Sequence, residues 1–83
     1  EYKKAESLFI RGLALMEKIY GPEHKRVANV KFNFGKSYYD QGDYTKAEPL
    51  LQQALELRER FFGPDHSEVA ISLNALGQLY VYK

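Results

Sequence analysis

Residues 44–60 read Tyr44-Thr45-Lys46-Ala47-Glu48-Pro49-Leu50-Leu51-Gln52-Gln53-Ala54-Leu55-Glu56-Leu57-Arg58-Glu59-Arg60, and a second version of this stretch lies upstream, beginning at Tyr2. Tyr2, Lys4, Ala5, Glu6, Leu8, Leu13, Leu15 and Glu17 meet Tyr44, Lys46, Ala47, Glu48, Leu50, Leu55, Leu57 and Glu59 without a gap. The match runs on: Gly21, Pro22, His24, Val27, Ala28, Gly35 and Tyr38 meet Gly63, Pro64, His66, Val69, Ala70, Gly77 and Tyr80. Coincidence this dense is the signature of a repeat architecture, in which each unit buries its apolar face on its neighbours.

Within each copy the period is helical. From Tyr44 the apolar or small residues fall at 44, 47, 50, 51, 54, 55, 57, 61 and 62, mostly steps of three and four that draw one helix face. Asp43 precedes the run as an N-cap, and Gly42 before it suits the left-handed end of a preceding helix. Gly63-Pro64 and Gly21-Pro22 close helices in the same way, since glycine tolerates a positive φ and proline cannot continue the ladder. The punctuation predicts four helices, at about 2–20, 24–41, 44–62 and 66–82. Pro49 lacks the amide that the Thr45 carbonyl needs, which predicts a slight kink rather than a break, because the apolar period continues past it. Small residues (Ala5, Gly12, Ala47 and Ala54 on the longer helices, Gly35 and Gly77 on the others) are expected where helices approach closely. Phe9, Leu13, Phe34, Tyr38, Leu51, Leu55, Leu76 and Tyr80 are expected to fill the space around them.

The string 44–60 resembles the second helix of a tetratricopeptide repeat, and Gly63-Pro64-Asp65-His66-Ser67-Glu68-Val69-Ala70-Ile71-Ser72-Leu73-Asn74-Ala75-Leu76-Gly77-Gln78-Leu79-Tyr80 resembles the first helix that follows. The 42-residue period exceeds the usual one of about 34. Together with the Gly-Pro-Asp/Glu-His loop, it is similar to the repeats of kinesin light chains and their bacterial relatives. The resemblance covers essentially the whole chain and implies an all-α fold, an α-solenoid of antiparallel helix pairs wound as a tetratricopeptide superhelix. In that frame residues 1–20 are the second helix of a preceding repeat, 24–62 one complete repeat, and 66–83 the first helix of the next. Neither end carries a polar cap, and the last helix finishes Leu79-Tyr80-Val81-Tyr82. The expectation is a piece of a longer array, or a chain that completes its stack by self-association. Lys31-Phe32 stand where the later copy has Leu73-Asn74, so Lys31 is expected to reach water along its own methylenes.

Composition narrows the function. The 83 residues are 45% hydrophobic, enough for one small core, and contain no cysteine, which removes disulfides and thiolate zinc sites. A net charge of +1 from 12 basic and 11 acidic residues gives no basic stripe, so no nucleic-acid partner is expected. The apolar runs are far short of a membrane span, and a cytoplasmic, membrane-free protein is the expectation. His24 and His66 hold the same place in successive copies, before helices and without a cluster of metal-ligand spacing, and read as capping or packing groups. Glu6, Glu17, Glu48, Glu56 and Glu59 have Lys or Arg nearby and read as a solvated face with weak ion pairs. No phosphate loop or nucleophile elbow is present, Gly35-Lys36 lies inside a helix, and neither an enzyme nor a cofactor is expected.

What remains is a surface. In tetratricopeptide arrays the first helix of each repeat lines the concave face. The resemblance therefore assigns Asn29, Phe32, Asn33, Lys36 and Tyr39 to a peptide-binding groove, with Ile71, Asn74, Gln78 and Tyr82 as their counterparts on the next repeat. Asparagine and glutamine pair with a peptide backbone, the aromatics offer an anchor site, and Lys36 suits a carboxylate. The leading expectation is an adaptor or scaffold that holds a peptide or client protein. A self-assembling structural array and a regulatory sensor region of a larger protein are the alternatives.

Overall fold

A computed structural model describes residues 1–83 and contains four α-helices: α1 (Tyr2–Tyr20), α2 (Lys25–Asp40), α3 (Tyr44–Phe62) and α4 (Ser67–Tyr82). α1 and α3 begin one sequence period apart and have equal length, as do α2 and α4. Three boundaries differ from the sequence expectation by single residues, and the cause is capping. His24 and His66 stand just outside their helices, where Nδ1 accepts the Arg26 amide at 3.0 Å and the Glu68 amide at 3.1 Å. Each imidazole also lies on the aromatic residue that ends the preceding helix, His24 on Tyr20 at 4.7 Å and His66 on Phe62 at 4.1 Å between centroids. Gln41 falls just beyond α2 as its C-cap.

Asp43 caps α3 by accepting the Lys46 amide at 3.3 Å. Gly21 and Gly63 adopt φ of 89° and 85°, and their amides close the preceding helices on the Glu17 and Glu59 carbonyls at 2.9 Å. α3 runs unbroken through Pro49, which sits on an exposed side. Water can there serve the carbonyl that proline leaves unpaired.

The helices form two layers, with α2 and α4 in one and α1 and α3 in the other. α2 packs on both α1 and α3, and α3 packs on both α2 and α4, while α1 and α4 do not touch. The Cα extents of 32 × 31 × 15 Å fit this, since packed helix axes lie about 10 Å apart. The main core joins Phe34 and Tyr38 of α2, Ala47, Leu51 and Leu55 of α3, and Val69, Leu76 and Leu79 of α4. Gly35 is indispensable here: a Cβ on it would lie 2.8 Å from Leu51 Cγ. Val27, Ala28 and Leu57 form a second cluster, on which Leu13 and Met16 of α1 pack.

Three packing expectations fail for one reason. Gly12 and Gly77 have nothing within 4 Å of a notional Cβ, and Tyr80 is 54% exposed. No element of residues 1–83 covers the outer faces of α1 and α4. Glu6 and Glu48 also differ from the expected solvated pairs. Glu6 accepts the Tyr38 hydroxyl, and Glu48 accepts both the Tyr80 hydroxyl and the Lys83 ammonium, so the same carboxylate–phenol link recurs in each copy. The bond from Lys83, and then that from Tyr80, hold the Glu48 carboxyl below the usual carboxylate range.

Burial first, and then the bond to Glu6, push the Tyr38 phenol from 10 up to about 12. Folded Tyr38 keeps a proton that the unfolded chain has lost over that interval, so stability falls as the pH rises from 10 to 12. Absorbance titration of tyrosinate is expected to show Tyr38 ionising last and together with loss of helix. Tyr38→Phe should delete that late step, and an unchanged titration would refute the assignment.

Candidate functional site

Asn29, Phe32, Lys36 and Tyr39 follow one another on α2 at steps of three and four, which makes a single stripe. Its two ends are built differently. At the end nearer the Gly-Pro loops, Arg58 rises from α3 into the seam between α2 and α4 and is only 3% exposed. Its Nη1 donates to Ser72 Oγ at 2.7 Å, its Nη2 donates to Asn29 Oδ1 at 3.4 Å, and Nη2 lies 3.5 Å from Glu68 Oε1. The guanidinium carbon stands 4.4 Å from the centre of the Phe32 ring, a cation–π contact with little water to weaken it. Burial weakens the hold of Arg58 on its proton and Glu68 opposes that effect. The group stays charged at any ordinary pH.

At the other end three tyrosines meet. Tyr39 lies 5.5 Å from Tyr44 and 6.3 Å from Tyr82, and Tyr44 lies 6.4 Å from Tyr82. Lys36 holds its ammonium 5.1 Å from the Tyr39 ring centre. Burial, then the neighbouring phenols Tyr82 and Tyr44, raise the Tyr39 pKa. Tyr82 itself is 64% exposed, so this cluster presents aromatic area to solvent.

The sequence-derived set is thus partly assembled. Asn29 and Phe32 meet at Arg58, and Lys36, Tyr39 and Tyr82 meet at the tyrosine cluster. Ile71, Asn74 and Gln78 are exposed on α4. They repeat the positions of Asn29, Phe32 and Lys36 along that helix. Asn33 stands apart. One residue on from Phe32, it is turned by about 100° around the helix and lines a cleft of about 420 Å3 with Ala5, Leu8, Phe9, Gly12 and Val30. A second cleft, of about 310 Å3, is lined by Met16, Lys25, Arg26, Asn29, Phe62 and Glu68. It extends the stripe toward two further cations.

Arg58 and Tyr44 belong to this region and are absent from the sequence-derived set. Tyr44 reads from sequence as an ordinary position on the apolar face of α3. Arg58 left one usable trace, since its counterpart in the upstream copy is the apolar Met16. Lys31 behaves as expected, donating from Nζ to the exposed Gln53 Oε1 at 2.8 Å.

A family model described as tetratricopeptide repeat matches residues 1–60 and again residues 27–83. The chain belongs to the tetratricopeptide repeat family. No curated protein matches the chain closely enough to add a relative by name. Tetratricopeptide repeats are as a family protein-interaction modules, typically without enzymatic activity, and a solenoid face of mixed aromatic and polar side chains is chemistry for binding. No three His, Cys, Asp or Glu side chains are grouped as a metal site, and no helix is long and apolar enough to cross a membrane.

Proposed function

We propose that this tetratricopeptide chain is a cytoplasmic adaptor module of the kinesin light chain-like kind, which holds a client by an acidic peptide along the exposed face of α2 and α4. The observation that carries the reading is the α2 stripe from Asn29 to Tyr39. It sets two aromatic rings and a lysine on one line, with further cations in the cleft at one end. Ten residues of helix span about 15 Å, the length of about four or five extended peptide residues. An aromatic or leucine side chain would lie on the Tyr39–Tyr82 cluster, and flanking carboxylates would face Lys36 and the Lys25–Arg26 end.

The acidic preference rests on those cations and is the part most easily removed. Lys36→Glu is expected to weaken binding of an anchor-plus-acid peptide at least about tenfold, or about 1.4 kcal/mol. It should also flatten the salt dependence of the affinity. Tyr82→Ala should weaken acidic and neutral peptides alike. Fluorescence anisotropy with labelled peptides checks both. Equal affinity for acidic and neutral peptides, unmoved by Lys36→Glu, removes the charge preference. Failure of every peptide to bind removes the groove assignment.

A further inference from the structure

In the cleft of about 310 Å3 at the loop end of the α2 stripe, hydrogen-bond donors outnumber acceptors. Lys25 and Arg26, from the first turn of α2, line it, and neither side chain makes an ion pair. Each is held over an aromatic ring instead. Lys25 Nζ lies 6.0 Å from the centre of the Phe62 ring, and the Arg26 guanidinium carbon lies 5.2 Å from that of Tyr20. A ring face steadies a cation without using up its N–H groups as a carboxylate would. The one acid of the cleft, Glu68, lies 3.5 Å from buried Arg58, so its charge is already balanced.

Asn29 adds a donor to the same wall. Its Oδ1 accepts from Arg58 Nη2 at 3.4 Å, which fixes the side-chain amide with its oxygen toward the guanidinium. Its Nδ2 donates to no other group of the protein, and Asn29 lines the cleft. These three residues do not recur: one period on, Lys25, Arg26 and Asn29 become Ser67, Glu68 and Ile71. The repeat folds without them, so the donor set is not part of the scaffold.

Two unpaired cations and an amide donor, with no free acid, suit a group that only accepts and carries more than one negative charge. A carboxylate has two oxygens and a single charge. A phosphate monoester has three acceptor oxygens and a charge of about −2 at neutral pH. Met16 and Phe62 give the cleft apolar walls for the carbon chain that carries such a group.

We propose that this cleft takes a phosphorylated residue of the bound peptide, with its phosphate among Lys25, Arg26 and Asn29. The proposal rests on the peptide-binding reading and deepens it, because a phosphate rather than a carboxylate is the preferred group at this end of the stripe. Arg58 is a positioning residue here, turning Asn29 and holding Glu68 aside.

Fluorescence anisotropy with three labelled peptides tests it. All carry the same leucine anchor and, about four residues before or after it, a serine, a glutamate or a phosphoserine. The phosphoserine peptide is expected to bind at least about tenfold more tightly than the glutamate peptide. Lys25→Gln combined with Arg26→Gln should bring those two affinities within about twofold. Helix content should not change, since both side chains are exposed. Asn29→Asp keeps an oxygen for Arg58 but removes the donor, and should also erase the preference. Equal binding of the phosphoserine and glutamate peptides, or a preference that survives the double variant, overturns the proposal and leaves the peptide-binding reading standing. If no peptide binds, titration with free phosphoserine followed by NMR separates the two. Shifts of the Lys25, Arg26 and Asn29 amide signals that free glutamate does not produce support the phosphate cleft without the groove, and their absence removes both.

Discussion

Leu51→Ala is expected to destabilise the chain by about 3–4 kcal/mol, the upper part of the range for emptying a rigid core site. Leu51 is 1% exposed and lies between Gly35 of α2 and the remainder of the main core. The surroundings cannot collapse into the vacancy, because the close approach of α2 to α3 is set by backbone at Gly35 rather than by a side chain that could swing inward. An 83-residue chain has roughly 4–12 kcal/mol of stability in all. The variant should therefore show a large drop in urea midpoint and partial unfolding near body temperature. Leu8→Ala, at a position 64% exposed, is the surface control and is expected to change stability by at most about 0.5 kcal/mol. Comparable losses for the two would mean that the core is not organised around the Gly35–Leu51 contact.

The contrast between Leu8 and Leu50, its counterpart one period on, marks what the sequence could and could not tell. Leu8 and Leu50 are the same residue at the same place in the repeat, so periodicity treats them alike. Whether either is covered depends on the presence of a neighbouring helix. The same applies to Gly35 and Gly77, and to Tyr38 and Tyr80, where one member of each pair is enclosed and the other open. Element type and boundaries were legible because their causes are local. A glycine at positive φ, an Asp43 side chain, and a histidine that accepts an amide two residues ahead each act within one turn. The glycine and histidine devices recur in the next copy, which gave a second sample of the signal. Side-chain partners across helices were less legible. Glu6 has basic residues close in sequence, and nothing in that pattern announces the phenol of Tyr38 beside it. On the candidate face, the resemblance to the family supplied Asn29, Phe32, Asn33, Lys36 and Tyr39 together; four of them share one stripe of α2, and Asn33 lines the cleft beside α1.

Arg58 is where the two copies diverge most instructively, and substitution toward the other copy is the way to learn what it does. Met16 and Val30 stand where the later copy has Arg58 and Ser72. Arg58→Ala is expected to cost about 2–4 kcal/mol, because it opens a cavity under Phe32 and strips the buried Ser72 hydroxyl of its donor. Arg58→Met fills the space but still orphans Ser72, with an expected loss of about 1–2 kcal/mol. Ser72→Val leaves a buried guanidinium short of one bond and should lose about as much. The double variant, Arg58→Met with Ser72→Val, is expected to return to within about 1 kcal/mol of the parent, since apolar replacements of a buried polar group are often neutral. A double-mutant cycle by urea unfolding then measures the coupling directly, and simple additivity would refute the pairing. Peptide affinity separates the remaining roles. The double variant keeps the packing but removes the one cation held between Asn29, Glu68 and Phe32. If it binds acidic peptides as tightly as the parent, Arg58 only tethers α2, α3 and α4 together. If affinity falls while stability is restored, the buried charge is felt at the surface above it, and the exchange of Met for Arg between the copies is a change of specificity rather than of packing.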